Sequence, residues 1–268
     1  VSEFTSREAF LVLDQKPDMV VYNGLNFKDL PKYDKKTIAA NRTKILETCS
    51  AFLEEQLPGN TQIWLSSGRY EYRNKGYDLI LEALADIKKR KGNDIPPVLV
   101  LFTVAADHGK ANVNEWNRPE DSSKSAIALN SVYQPEHDAI INTCKRLSLD
   151  EKASPVKVVF STLYFDGDDG ILNIPYNDIL QCVDLSLFPS FYEPWGYTPL
   201  ESIAMGVPTV TSDLSGFGHW IETLDDDWDT LVKVVHRRNR ADEEAISLLS
   251  EILEKALFTG LGDKAKLL

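Results

Sequence analysis

The sequence predicts an α/β fold, a doubly wound parallel sheet of Rossmann-like type, on three observations. Apolar runs without alternation, of which Val98-Leu99-Val100-Leu101-Phe102-Thr103-Val104 is the clearest, have the pattern of strands buried on both faces. Amphipathic helical stretches separate such runs, so that strand, helix and strand follow one another as a parallel sheet requires. Third, a short run at Leu185-Ser186-Leu187-Phe188 leads through a corner rich in Pro, Gly and aromatic residues into a helical stretch from Pro199. Open parallel sheets bind ligands at such corners, beyond the carboxyl ends of their strands.

In chain order, residues 6–15 read as a helix, 18–22 as an extended segment and Asn23-Gly24 as a turn. Residues 28–55 are polar, with Ile38, Ile45, Leu46, Cys49, Phe52 and Leu53 near helical spacing, and read as a helical linker or outer layer. Pro58-Gly59-Asn60 breaks that pattern, and Ile63-Trp64-Leu65-Ser66-Ser67 is a strand ending at Gly68-Arg69. Residues 77–90 place Leu79, Ile80, Ala83, Leu84 and Ile87 on one face and end in Lys88-Lys89-Arg90, cations that suit the negative end of a helix dipole. Residues 105–154 show only weak helical character, over 135–148. Beyond them the pattern gives strand 156–160, helix 176–182, strand 185–188, helix 198–205, strand 208–211, an acidic loop at 225–228, strand 231–235 and helix 243–257.

Composition narrows the function classes. The 268 residues are 43% hydrophobic, ordinary for a core-forming protein, and carry a net charge of −12. That charge argues against a nucleic-acid or anionic-membrane face, which needs clustered Lys and Arg, so any phosphate site must be local. No apolar run approaches the roughly 18 residues of a membrane span, and no signal-peptide pattern opens the chain. Cys49, Cys144 and Cys182 are far apart and form no CxxC, which fits a reducing, cytoplasmic setting. The chain opens with Val in mid-pattern and reads as a fragment.

Several residues carry candidate chemistry. Arg69 and Lys75 flank one strand-to-helix loop, where a planar guanidinium and a compact ammonium can converge on the same phosphates; solvated surface cations are the alternative. Glu193 precedes the helix beside Pro194 and Gly196, with no helical duty, hemmed in by Tyr192 and Trp195. Thr198-Pro199-Leu200-Glu201 has the form of a capping box, with Thr198 as N-cap and Glu201 reaching back to it, though a first-turn Glu201 is equally placed to bind a ligand. Gly196, Tyr197 and Thr198 offer backbone N–H groups at a helix start. Tyr176 either packs between helix and sheet or stacks on a ligand ring. Gly216-Phe217-Gly218 reads as a flexible turn. No metal centre is expected. Asp166-Gly167-Asp168-Asp169-Gly170 opens like a calcium loop, but its Gly falls one place early and Asn177 stands where the bidentate Glu belongs. It reads as a solvated acidic turn, as does Asp225-Asp226-Asp227, and His108, His137, His219 and His236 show no ligand spacing.

Tyr192-Glu193-Pro194-Trp195-Gly196-Tyr197-Thr198-Pro199, followed by Met205-Gly206-Val207-Pro208 and Leu214-Ser215-Gly216-Phe217-Gly218, closely resembles the nucleotide-sugar domain of the eukaryotic-type glycogen synthases. So does Gly68-Arg69-Tyr70-Glu71-Tyr72, with Asn74-Lys75-Gly76 behind it, and 18–26 is similar to the segment that joins the family's two Rossmann domains. The resemblance implies the second domain of a GT-B glycosyltransferase, with residues 1–26 as the tail of the first domain and its crossover and 27–268 as the donor-binding domain. It implies transfer of glucose, with retention, from UDP-glucose to the non-reducing end of an α-1,4-glucan. Arg69 and Lys75 then bind the donor diphosphate, Glu193 sits at the sugar, Glu201 accepts from the ribose hydroxyls and Tyr176 stacks on the base. Glu193 acts either as hydroxyl-binding, electrostatic support or as nucleophile. No cofactor or metal is implied beyond the substrates. The partners are the nucleotide sugar, the glucan acceptor and the other Rossmann lobe, without which the fragment should be inactive. The family's oligomer-forming insertion is short here, over 105–155, so homo-oligomerisation stays open. Arg237-Arg238-Asn239-Arg240 is similar to a segment near the family's C-terminal region, but the arginine-rich regulatory helix would lie beyond or around the end of this chain, so glucose-6-phosphate control stays undecided. The alternatives are an ADP-glucose or sucrose-type transferase, or a non-catalytic nucleotide-binding module.

Overall fold

The computed structural model describes residues 2–106, 119–224, 228 and 230–261. Six strands lie in one sheet, all parallel: β1 (Gln62–Arg69), β2 (Val98–Ala105), β3 (Val156–Ser161), β4 (Leu185–Leu187), β5 (Thr209–Ser212) and β6 (Val232–Val235), in the order β3-β2-β1-β4-β5-β6. That order is the doubly wound Rossmann arrangement, and the chain reverses its direction of winding between β1 and β4. The apolar run of β2 lacks alternation because both of its faces are covered. Val98, Val100, Phe102 and Val104 of β2 point into one apolar layer, and Leu99 and Leu101 into the other.

The first layer is closed by α3 (Tyr77–Lys91), α4 (Ala139–Arg146) and α8 (Asp242–Thr259), the second by α2 (Lys35–Leu53) and α5 (Tyr176–Cys182). Each helix has a local reason to begin where it does. Asp34 caps α2 by accepting from the N–H groups of Lys36 and Thr37, both at 3.2 Å, and Asp138 caps α4 by accepting from Ile141 N at 2.9 Å. At the head of α3, Gly76 has φ +73°, and a Cβ there would lie 2.3 Å from the carbonyl oxygen of Pro189. Glycine is needed on both counts, for the backbone angle and for the close approach. Leu79, Ile80, Leu84 and Ile87 of α3 are buried as their spacing requires, while Lys88, Lys89, Arg90 and Lys91 fill its last turn.

The N-terminal helix α1 (Glu3–Leu13) begins three residues before the expected 6–15, because Ser2 and Thr5 form a reciprocal capping box. It buries no residue of its own, yet it lies on the carboxyl side of the sheet: Tyr192 Oη donates to Glu8 at 2.8 Å, and the Tyr22 ring is 5.4 Å from that of Trp195. Gly216-Phe217-Gly218 is not a flexible turn. It opens helix α7 (Gly216–Ile221), capped by Ser215 Oγ, which accepts from Gly218 N at 2.9 Å. A Cβ on Gly218 would meet Ser212 O at 2.1 Å, and one on Gly216 would meet Pro194 O at 2.3 Å. These glycines serve tight packing, not freedom.

Two expectations concern loops. The carboxylates of the 166–170 turn are used by their own backbone: Asp169 accepts from Ile171 N, Leu172 N and Asn173 N at 2.8–2.9 Å. Among the described residues no group of three or more His, Cys, Asp and Glu side chains is arranged to hold a metal. His108 and the acidic Asp225-Asp226-Asp227 lie outside the described residues. Among the described residues no helix is long and apolar enough to cross a membrane.

Candidate functional site

The carboxyl ends of β1 and β4 are where the winding reverses, and the loops leaving them diverge to leave a cleft. Gly68, at φ +140°, is the next-to-last residue of β1; the Lys75 side chain passes close to it, its Cε 3.6 Å from where a Cβ would stand. From β4 the chain runs through 189–196 to α6 (Tyr197–Ala204). That loop is held on both sides. Phe191 N donates to Asn74 O at 2.7 Å, Glu193 N donates to Leu214 O at 3.1 Å, and Gly216 N donates to Glu193 O at 2.9 Å. The last two bonds make a one-residue parallel bridge between Glu193 and Ser215, so Glu193 has a fixed backbone despite lying in a loop.

Its side chain meets Lys75. The Lys75 ammonium lies directly on Oε2 of Glu193, with side chains only 15% and 22% exposed. Half-burial strengthens such a pair, because less water competes for either charge. Arg69, by contrast, keeps a side chain 79% exposed at the cleft rim and pairs with Glu71 at 3.0 Å. The sequence treats Arg69 and Lys75 alike; the fold separates them into a rim cation and a half-buried one.

The cleft itself has a volume of about 500 Å³. Its walls include Gly68, Arg69, Tyr176, Asn177, Thr198 and Glu201, joined on one side by the turn 163–165. Of the two roles left open for Tyr176, packing is the one seen: its ring lies against the apolar layer of α2 and α5, and Tyr176 Oη lies 2.7 Å from Ser67 Oγ at the cleft floor. Burial pushes its phenol well above the usual range. Ser67 and Asn177 were not singled out in the sequence; their only signal is position, at a strand end and one place after Tyr176.

The capping box expected at Thr198 does not form. Gly196, at φ 107°, is the N-cap of α6, so Tyr197 is the first helical residue and Glu201 lies too far along the helix to reach back. The aromatic-rich loop is held to 214–217 up to Trp195, whose carbonyl accepts from Phe217 N at 2.7 Å, and the helix starts at once after it. The consequence is functional: no side chain caps α6, leaving the first-turn N–H groups at Gly196, Tyr197 and Thr198 without helical acceptors, and Glu201 without a capping duty. Burial raises the Glu201 carboxyl above its usual range. A partly desolvated acceptor facing a cleft, with uncapped helix-start N–H groups and an aromatic ring nearby, can receive an anionic ligand that also offers hydroxyl donors.

A parallel sheet in this strand order, with its cleft at the reversal point, is the Rossmann-like half of a GT-B glycosyltransferase fold. The solved structures it resembles have that fold: WaaG, a glycosyltransferase involved in lipopolysaccharide biosynthesis, matches with TM-score 0.58 at 14% identity over 99% of this chain and 56% of that one. Anabaena HepE in complex with UDP and glucose matches with TM-score 0.52 at 16% identity over 100% and 59%. The chain belongs to the glycogen synthase family, whose model matches residues 1–119 and 117–261. Glycogen [starch] synthase of Neurospora crassa is 27% identical over 94% of this chain and 45% of its own length, and isoform 1 of Saccharomyces cerevisiae is 27% identical over 95% and 46%. The chain thus spans about half the length of the curated relatives it matches.

Proposed function

We propose that this chain is the donor-binding half of a glycogen synthase, which transfers glucose with retention from UDP-glucose to the non-reducing end of an α-1,4-glucan. The observation that carries the reading is the contact of Lys75 with Glu193 across the loops of β1 and β4, beside a cleft that also holds Arg69, Tyr176 and Glu201. Family membership supplies the reaction; the geometry supplies the division of labour.

In the donor complex the Tyr176 ring stacks on the base, Glu201 accepts from the ribose hydroxyls, and the N–H groups of Gly196, Tyr197 and Thr198 face the phosphates. Arg69 closes over the diphosphate from the rim, and Lys75 turns from Glu193 to a phosphate oxygen. Both cations then stabilise the charge that grows as the bond from the glucosyl C1 to the phosphate oxygen breaks. Glu193, released from Lys75, binds a sugar hydroxyl and supports the oxocarbenium-like state. The acceptor O4 attacks from the face the phosphate leaves, and its proton passes to that phosphate, so configuration is kept without a covalent intermediate. No metal or cofactor enters the scheme. Acceptor contacts and the remaining donor groups belong to a second Rossmann lobe; on this reading 27–268 is the donor domain and 1–26 the junction.

Calorimetric titration with UDP, ADP and UDP-glucose tests this, with Arg69→Ala as the control. UDP bound well above ADP, and lost in the variant, is the expected outcome. Equal or stronger ADP binding points instead to an ADP-glucose transferase, and no binding by the complete protein sinks the donor-site reading.

A further inference from the structure

Arg237 follows β6, an edge strand of the sheet, and its side chain is 4% exposed. A guanidinium is rarely sealed in this way, because burial removes hydration that only directed hydrogen bonds replace. Desolvation lowers its affinity for its proton. Two of its side-chain contacts converge on a single loop. Nη1 donates to Pro189 O at 2.6 Å, and the guanidinium carbon lies 5.3 Å from the ring centroid of Phe191. Nη2 is 3.7 Å from Asp242 Oδ1, a looser contact at the head of α8.

Pro189 and Phe191 begin the loop that ends at Glu193. Their other sides face the Lys75 loop: Phe191 N donates to Asn74 O, and Pro189 O packs onto Gly76 so closely that no Cβ fits. The far end of the same loop is also tied to this segment. Asp213 Oδ1 accepts from Arg237 N at 2.8 Å, and Asp213 is followed by Leu214, whose carbonyl accepts from Glu193 N. Residue 237 therefore anchors both ends of the Glu193 loop, its side chain at the start and its backbone at the finish.

We infer that Arg237 is a positioning residue: through Pro189 and Phe191 it sets Glu193 and Lys75 in register for the diphosphate and sugar end of the donor, while touching no donor atom itself. This deepens the donor-binding reading above and rests on it. Tyr176, Thr198 and Glu201, which face the nucleoside end, make no contact with Arg237 among those described, so the effect is confined to one end of the ligand. Lysine cannot replace it, since a single ammonium has neither the planar fork that reaches Pro189 O nor the flat face that stacks on Phe191.

The test is calorimetry of UDP and UMP binding to the unaltered chain, Arg237→Lys and Phe191→Ala, with thermal melting of each. Phe191 is 58% exposed, so its truncation leaves the core intact. The expected result for Arg237→Lys is a loss of about tenfold in UDP affinity with UMP affinity held within about twofold. Phe191→Ala gives the same split at about threefold. UDP affinity unchanged in Arg237→Lys overturns the inference, as does a parallel loss of UDP and UMP that follows the melting temperature. A complete protein that binds neither nucleotide overturns the donor-site reading itself, and this one with it.

Discussion

The Lys75 ammonium sits on the Glu193 carboxylate although the two are 118 positions apart in sequence. In the free chain each therefore occupies the other's functional valence. A donor phosphate must compete with Glu193 for Lys75, so the two residues have opposite effects on ligands that lack a sugar. Glu193→Gln is expected to tighten UDP binding about threefold, and Lys75→Gln to weaken it about tenfold. For UDP-glucose both changes weaken binding, because the glutamine cannot support the sugar as the carboxylate does. Calorimetry of both ligands with both variants checks the sign reversal; UDP weakened equally by the two changes contradicts it.

Glu201 gives a pH prediction. Its carboxyl is raised by burial, so ionising it costs the folded chain more than the unfolded one. The protonated form favours folding. That contribution is complete below the ordinary glutamate range and is lost as pH rises through the raised folded value. Glu201→Gln should therefore melt with the parent below the ordinary glutamate range, and above the parent, by a gap that then stays constant, once pH has passed the raised folded value. Melting curves from pH 4 to 8 measure this, and a constant offset between the two proteins over that whole range contradicts it.

Gly76 tests the coupling of the two loops. Alanine there meets the Pro189 carbonyl at 2.3 Å in a left-handed backbone, which should cost about 3 kcal/mol in urea denaturation. The strain falls on the peptide that Arg237 holds, so UDP affinity should drop as well. A stable Gly76→Ala chain with unaltered binding would mean that the loops relax independently.

Tyr176 separates packing from stacking. Tyr176→Phe loses the bond to Ser67 Oγ and should destabilise the chain by about 1 kcal/mol while UDP affinity holds. Tyr176→Ala removes the ring face and should weaken UDP by about tenfold or more. Equal affinities for the two variants place the base elsewhere.

Much of this was legible in the residues. β1, β2 and β3 fall within a residue or two of their apolar runs, because strands covered on both faces leave an unbroken signal. The candidate site residues stand out by position: Arg69 at a strand end, Lys75 and Glu193 in the loops that lead into helices, Glu201 near a helix start and Tyr176 as a helix-opening aromatic. What was not legible depends on distant backbone. The box at Thr198 to Glu201 satisfies every local rule, yet α6 starts at Tyr197, because residues 213–217 hold the preceding loop from outside. α7 hides behind two glycines whose purpose is contact with Ser212 and Pro194, partners that local pattern cannot name. Arg237 looks like one of a surface cluster of arginines, and only the fold shows that its guanidinium is sealed while that of Arg69 is open.

The sheet has a weak line down its middle. β1 pairs with β2 over eight residues but with β4 over only two, Trp64 with Leu185 and Leu65 with Ser186. Beyond that, Ser66 Oγ reaches Leu187 O at 2.7 Å, and then the contact between Lys75 and Glu193 continues across the gap. The Lys75–Glu193 contact thus spans a junction that the sheet itself joins by only two ladder pairs. A ligand that took hold of both loops would rivet the two halves of the sheet together.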